Sequence, residues 1–276
     1  MSLGERFRGL LDLCRPVNAV AAGVLTLIGA FVAGHPLTAA AGTAFVVTVL
    51  ATAGGNAIND YFDRNLDAVN APTRPLPRGA VSAITALAFS GVLFVLAGIV
   101  ALTLPSLAFA IVVFNVVLLA AYTTLFKGLP GAGNALVAYL GGSTFLFGAA
   151  AVGRPLAGVV LFGLAALSTF AREVVKDVED LEGDREEGLH TLPIAIGPRR
   201  ALAAAAVVLA VAVLASPVPY LTGTFGSAYL AVVVPADAVM AYAAIRSFVD
   251  PTAAQSVLKY GMFLAAAAFV VGRAFV

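Results

Sequence analysis

The sequence predicts an all-α, polytopic membrane protein in which nine transmembrane helices form a bundle around a central cavity, a single domain over residues 1–276. Three observations carry this reading. The 276 residues are 61% hydrophobic and 11% charged, with a mean hydropathy of +0.99, whereas about a quarter of a soluble domain is charged. Apolar residues fall in runs of about 20, the length that crosses a bilayer as a helix. Lys and Arg crowd into alternate connections between those runs, as the positive-inside rule requires of a spanning protein.

In chain order the runs lie at about 17–34, 37–58, 81–103, 106–126, 132–152, 155–175, 199–219, 225–247 and 254–275. Gly and Pro break them at Gly34–His35–Pro36, Leu104–Pro105 and Gly153–Arg154–Pro155, where a helix cannot continue. Ala, Val, Leu and Gly dominate within them, and such small residues let membrane helices pack closely. Ahead of the first run, Phe7, Leu10, Leu11 and Cys14 recur at helical spacing among Arg6, Arg8 and Arg15; this predicts an amphipathic helix lying on the membrane. No small-residue cleavage site follows it, so it does not read as a cleavable signal. With a cytoplasmic N-terminus, nine spans leave all 16 Lys and Arg inside except Arg154 and Arg273, and put the C-terminus outside. One cysteine, Cys14, and two histidines, His35 and His190, exclude an internal disulfide and a Cys/His metal site. A net charge of +1 without a basic tract gives no footprint for nucleic acid.

Against this apolar background stand two acidic runs. Asn56, Asn59, Asp60, Asp63 and Asp67 form the first; Glu173, Asp177, Asp180 and Asp184 repeat its spacing in the second. Positions i, i+4, i+7 and i+11 of a helix fall within about 60° of arc, so each run presents one acidic stripe. Both fall on the inner side, in the long polar connections at about 59–80 and 172–198. Carboxylates gathered this way repel each other unless a cation lies between them. Mg²⁺ suits such a place, because it takes one or two carboxylates, keeps waters and binds substrate phosphates. Asp60, Asp63, Asp67, Asp177, Asp180 and Asp184 are therefore the candidate metal-holding and catalytic residues.

Cations flank both stripes. Arg74 and Arg78 lie in Thr73–Arg74–Pro75–Leu76–Pro77–Arg78–Gly79, Lys127 follows the fourth run, and Arg172, Lys176 and Arg185 surround the second stripe; all are placed to bind phosphate oxygens. Metal-bound diphosphate is a good leaving group. Next to a membrane cavity, that chemistry predicts transfer of a prenyl group from an allylic diphosphate. Tyr122 and Tyr139 either line the cavity, where a ring stabilises a cation, or pack at the membrane interface. Asp237, the only acidic residue well inside a predicted span, is functional or hydrogen-bonded to a neighbouring helix. Glu179, Glu182, Glu186 and Glu187 read as solvated surface, His190 as a loop residue and Cys14 as a small packed side chain.

The first run with Arg74–Pro75–Leu76–Pro77, and Asp177, Asp180 and Asp184 in the second, resemble the paired signatures of UbiA-type intramembrane prenyltransferases. The resemblance spans nearly the whole chain. It implies nine helices with motifs after the second and sixth, Mg²⁺ between the motifs, and an opening toward the lipid. It also implies metal and diphosphate roles for Asn56 and the six aspartates, and diphosphate contacts for Arg74, Lys127 and Lys176. Arg15–Pro16–Val17–Asn18 and the stretch from Arg172 through Thr191–Leu192–Pro193 are most similar to the family's archaeal ether-lipid branch. That branch moves a geranylgeranyl group from geranylgeranyl diphosphate to the sn-2 hydroxyl of geranylgeranylglyceryl phosphate. The acceptor's own phosphate calls for further cations, with Arg15, Arg185, Arg199 and Arg200 as candidates by location. Aromatic or porphyrin-type acceptors are the rivals within the family, and the absence of Trp leans against an aromatic one. A cation transporter is the rival from another class; only Asp237 supports it.

Overall fold

Helices occupy nearly all of the computed structural model, which describes residues 3–34, 38–126, 128–186 and 188–276. In order they are α1 (Leu3–Cys14), α2 (Pro16–Val32), α3 (Ala39–Asn70), α4 (Ala83–Ala101), α5 (Ser106–Ala121), α6 (Ala132–Ala151), α7 (Val159–Glu179), α8 (Leu181–Glu186), α9 (Leu192–Ile196), α10 (Pro198–Ala215), α11 (Val218–Leu221), α12 (Ser227–Arg246) and α13 (Pro251–Ala274). Seven are long and apolar enough to cross a membrane, counting α10 with α11, and α1 with α2 makes an eighth as a pair bent by 41°. At 16 residues α5 is shorter, and a π-helical turn, Tyr122–Phe126, prolongs it to the end of the predicted run. The break expected at Gly34–His35–Pro36 falls partly outside the described residues.

Two places differ from the sequence reading: residues 59–70 and 172–179, expected in connections, are the last turns of α3 and α7. With 32 residues, α3 is about 48 Å long and exceeds the roughly 30 Å hydrocarbon core. One continuous helix can thus start among apolar neighbours and end as an acidic stripe. In α1, the packed face is Gly9 and Leu13, set against Ala57, Ala80 and Val81, while Phe7 and Leu11 are exposed. The apolar spacing does mark a helix; its inner face is the one with the glycine, because only there can the backbone approach the following loop.

Small residues set the helix spacing. A Cβ on Gly29 of α2 would lie 2.2 Å from the Phe145 carbonyl oxygen, and one on Gly148 of α6 only 1.9 Å from that of Thr26. Backbone therefore packs directly on backbone between α2 and α6. Polar side chains add cross-links: Thr26 to Thr48 between α2 and α3 at 2.8 Å, Ser90 to the Gly54 carbonyl between α4 and α3 at 2.9 Å, and Asn115 to Ser143 between α5 and α6 at 2.9 Å. Asp237 serves the same purpose, since one of its oxygens accepts a short hydrogen bond from Ser216 after α10.

Arg15, between α1 and α2, is the one described non-glycine residue with positive φ, at φ 45° and ψ 67°. That left-handed conformation costs about 1–2 kcal/mol. It bends the chain by 41° between α1 and α2, and the guanidinium forms a short ion pair with Asp60 of α3.

Two expectations follow from this packing. Gly148→Val should destabilise the protein by at least about 1–3 kcal/mol, the scale of overpacking, whereas Gly163→Ala, with nothing within 4 Å of its added Cβ, should be tolerated; denaturant melts in micelles measure both. At position 15, Arg15→Gly should be more stable than Arg15→Ala by about 1 kcal/mol, because both lose the ion pair and only glycine relieves the backbone. Equal stabilities would remove the strain from the account.

Candidate active site

The first stripe is buried and clamped. In the last turns of α3, Asp60 is only 2% exposed and Asp67 5%. Such carboxylates stay charged only with partners, and both have them. Asp60 meets Arg15 and lies 3.8 Å from Arg74; Asp67 accepts from Arg74 at 2.6 Å. Arg74 is brought there by its loop. Pro75 and Pro77 forbid a helix, Gly79 turns at φ 75°, and the Pro75 carbonyl accepts from both Ala80 and Val81, so residues 71–82 fold back over the end of α3. Burial opposes the Arg74 charge, but its hydrogen bond to Asp67 and the charges of Asp67, Asp60 and Asp63 outweigh that and hold its pKa above the usual arginine value. Asp63 accepts from Asn59 at 3.1 Å, and Asn56 donates to the Cys14 carbonyl at 3.0 Å. The Asn18 amide meets Asn56 at 3.5 Å, the limit of a hydrogen bond.

The second stripe is more open. Although α7 ends at Glu179, backbone bonds from Asp180 to Lys176 and from Asp184 to Asp180, both 2.9 Å, keep the i to i−4 pattern into α8. Asp177, Asp180 and Asp184 thereby stay on one track. Asp177 accepts from Asn134 at 2.8 Å, and Lys176 pairs with Asp180 at 2.5 Å. Tyr122 joins the stripes: in the π turn, it lies within electrostatic reach of Asp63 on one side and of Glu173, Asp177 and Asp184 on the other. A π turn widens the helix and often marks a functional site.

Below this polar end is a cavity of about 470 Å³ whose polar lining includes Asn18, Asn56, Asn59, Asn115, Tyr122 and Thr169. Apolar side chains of α2, α3, α5, α6 and α13 line the rest, so the space has a polar head and a hydrocarbon body. One wall is a second apolar chamber around Asp237 that shares Leu25, Gly141, Thr169 and Phe263 with it.

The remaining sequence-predicted residues are placed unevenly. Tyr139 is not in the lining of the 470 Å³ cavity; its ring is edge-on to both Phe114 and Phe162, so it belongs to the aromatic packing. Arg172 turns to Glu173 at 2.8 Å and to Gln255 of α13 at 2.9 Å. Arg185, Arg199, Arg200 and His190 are exposed. Arg15, expected near an acceptor phosphate, instead neutralises Asp60. Lys127 lies outside the described residues. Asn134 and Asn115 were not anticipated; a polar residue inside an apolar run was the signal available for each.

Among the described residues, no three acidic, histidine or cysteine side chains converge on one point as a complete cage for a metal. The carboxylates nonetheless fit a hard cation. Asp67 Oδ2 is buried and has no hydrogen-bond partner, a costly state for a carboxylate oxygen that a cation would relieve. Mg²⁺ needs only a few protein carboxylates when substrate phosphates and water complete its octahedron.

Comparison with known proteins places this geometry. Residues 22–267 match the UbiA prenyltransferase family. The chain is 64% identical over 271 residues to the digeranylgeranylglyceryl phosphate synthase of Halobacterium salinarum, covering 98% of both chains. Among solved structures, one described as giving insights into digeranylgeranylglyceryl phosphate synthase in membranes superposes with a TM-score of 0.86 at 34% identity, over 98% of this chain and 99% of that one. A UbiA homologue from Archaeoglobus fulgidus, solved with GPP and Mg²⁺, shares the fold at a TM-score of 0.70 and 20% identity, over 96% of this chain and 98% of that one. Matched along nearly its whole length, the chain is a member of the UbiA prenyltransferase family.

Proposed function

We propose that this enzyme transfers a geranylgeranyl group from geranylgeranyl diphosphate to the sn-2 hydroxyl of geranylgeranylglyceryl phosphate, forming the second ether bond of an archaeal lipid and releasing diphosphate. The observation that carries the proposal is a pair of acidic stripes with their own cations at the polar head of an apolar cavity, in a chain so similar to synthases bearing that name. The donor's C1–O bond breaks with its electrons going to the diphosphate. The acceptor oxygen bonds to C1 and gives up its proton to the released diphosphate.

Asp60, Asp63 and Asp67 on one side and Asp177, Asp180 and Asp184 on the other would hold Mg²⁺, which supplies positive charge to the leaving diphosphate. Arg74 and Lys176 are the cations best placed for diphosphate oxygens, since each already sits against a stripe; Lys127, Arg172 and Arg185 are assigned to the same anion by sequence position. Asn18, Asn56 and Asn59 orient the polar end of the substrate, and Tyr122, which lines the same cavity, is the aromatic available to the developing cation. Apolar walls exclude water, which would otherwise capture the reactive carbon.

In this reading the molecule is one domain of nine spans around a central cavity, with the α1–α2 pair and the prolonged α5 among them. The N-terminus and acidic end face the cytoplasm and the C-terminus lies outside; nine spans gather all Lys and Arg but two on one side, which supports this orientation.

Membranes containing the protein, supplied with Mg²⁺ and geranylgeranyl diphosphate, should yield product with geranylgeranylglyceryl phosphate and not with 4-hydroxybenzoate; the reverse result sinks the lipid assignment. Chelation should stop the reaction and added Mg²⁺ restore it. Asp60→Asn and Asp177→Asn should each lower turnover by at least about a hundredfold, the scale of removing one electrostatic stabiliser, while the purified variants remain monodisperse. Unchanged turnover in both would detach the stripes from catalysis.

A further inference from the structure

A second cavity, of about 720 Å³, lies outside the site described above and shares no lining residue with it. Its walls come from four neighbouring segments: Arg6 and Leu10 of α1, Arg64 and Asn65 near the end of α3, Leu76 and Pro77 of the folded-back loop, and the start of α4 at Ser82–Thr85. No acidic residue lines it. Arg6 makes no hydrogen bond or ion pair among the described residues. The Arg64 guanidinium donates to the Tyr61 carbonyl at 2.7 Å and lies 4.8 Å from the Tyr61 ring centre, with no carboxylate partner. Nearby acids are already engaged, Asp12 with Arg78 and Asp67 with Arg74, both at 2.6 Å.

Two unneutralised arginines in one cavity are a matched set of donors for a phosphate group. The start of α4 adds to the positive potential through its dipole, although Ser82 Oγ already caps the Thr85 N–H at 3.2 Å. The same walls carry Leu10, Leu76, Pro77 and Val81, which a free phosphate would not use. Beside them, Phe7 is 64% exposed and Leu11 45% exposed on the outer face of α1, the surface of a helix made to lie at a lipid interface.

We propose that this cavity binds the head group of an anionic phospholipid, its phosphate between Arg6 and Arg64 and the upper part of its chain along the apolar wall and α1. The volume lies within the range of small-ligand sites, about 300–1,000 Å³. The site is independent of the prenyl-transfer reading and fails or stands separately from it.

The test uses full-length protein in a neutral detergent at about 0.1 M salt, where charges are screened beyond about 10 Å. Bound lipid is counted by native mass spectrometry during titration with short-chain phosphatidylglycerol, phosphatidylcholine of the same chain length, or inorganic phosphate. Phosphatidylglycerol should bind in preference to phosphatidylcholine. Arg6→Gln with Arg64→Gln should weaken it about a hundredfold, at about tenfold for each charge-assisted hydrogen bond lost. Arg8→Gln, which removes the same charge from the same helix away from the cavity, should leave binding unchanged. Equal loss in Arg8→Gln, no loss in the double variant, or equal binding of phosphatidylcholine would overturn the proposal. Displacement of the lipid by inorganic phosphate at similar concentration would assign the cavity to a free anion and overturn the lipid reading too.

Discussion

Asp60 is a nearly buried carboxylate in a largely apolar molecule, and the acidic end of the bundle is organised around its neutralisation. One partner comes from the strained junction of α1 and α2, the other from the loop that follows α3. Removing the Arg15 guanidinium would leave the buried carboxylate with only Arg74, 3.8 Å away, and breaking a buried pair costs far more than the pair is worth. So α1 must pack against the loop, the loop must fold back, and Arg15 must accept a backbone conformation that arginine ordinarily avoids. Three segments remote in sequence are fixed by one desolvated charge.

The two stripes share a spacing but not an environment. In the first, arginines from outside the helix hold Asp60 and Asp67, and Asp67 keeps one buried oxygen without a partner. In the second, Asp177 is held by the neutral amide of Asn134, and Asp180 by a lysine one turn away on the same helix. The first stripe is therefore rigid and preorganised, while the second is closer to solvent and held locally. Preorganised charge is the form in which a protein stabilises a reacting anion without reorganising at the moment of reaction. The second stripe has its cation, Lys176, tethered only one turn away along the chain.

The close contact of α2 with α6 matters for the cavity as well as for stability. Gly29 and Gly148 bring those helices together backbone to backbone, and both helices also wall the cavity. The contact that holds α2 against α6 therefore also fixes the spacing of two of the cavity's walls.

By itself the sequence determined the helical class, the membrane setting, the limits of most helices and both acidic stripes. Those properties depend on composition and on local periodicity, which need no knowledge of neighbours. Even the break at Arg15–Pro16 is local, since proline starts a helix and cannot continue one. Tertiary structure alone decided the long-range partners. Arg15 went to Asp60, 45 residues away, because a buried carboxylate takes the cation that packing provides, and Arg172, besides its neighbour Glu173, reached the amide of Gln255, 83 residues away. It also separated Tyr122 from Tyr139, two residues of equal promise in the chain, because the π turn puts one ring at the cavity and the packing of α5, α6 and α7 claims the other. The duplicated spacing announced where the charge would be; only the fold made one stripe a clamped site and left the other open.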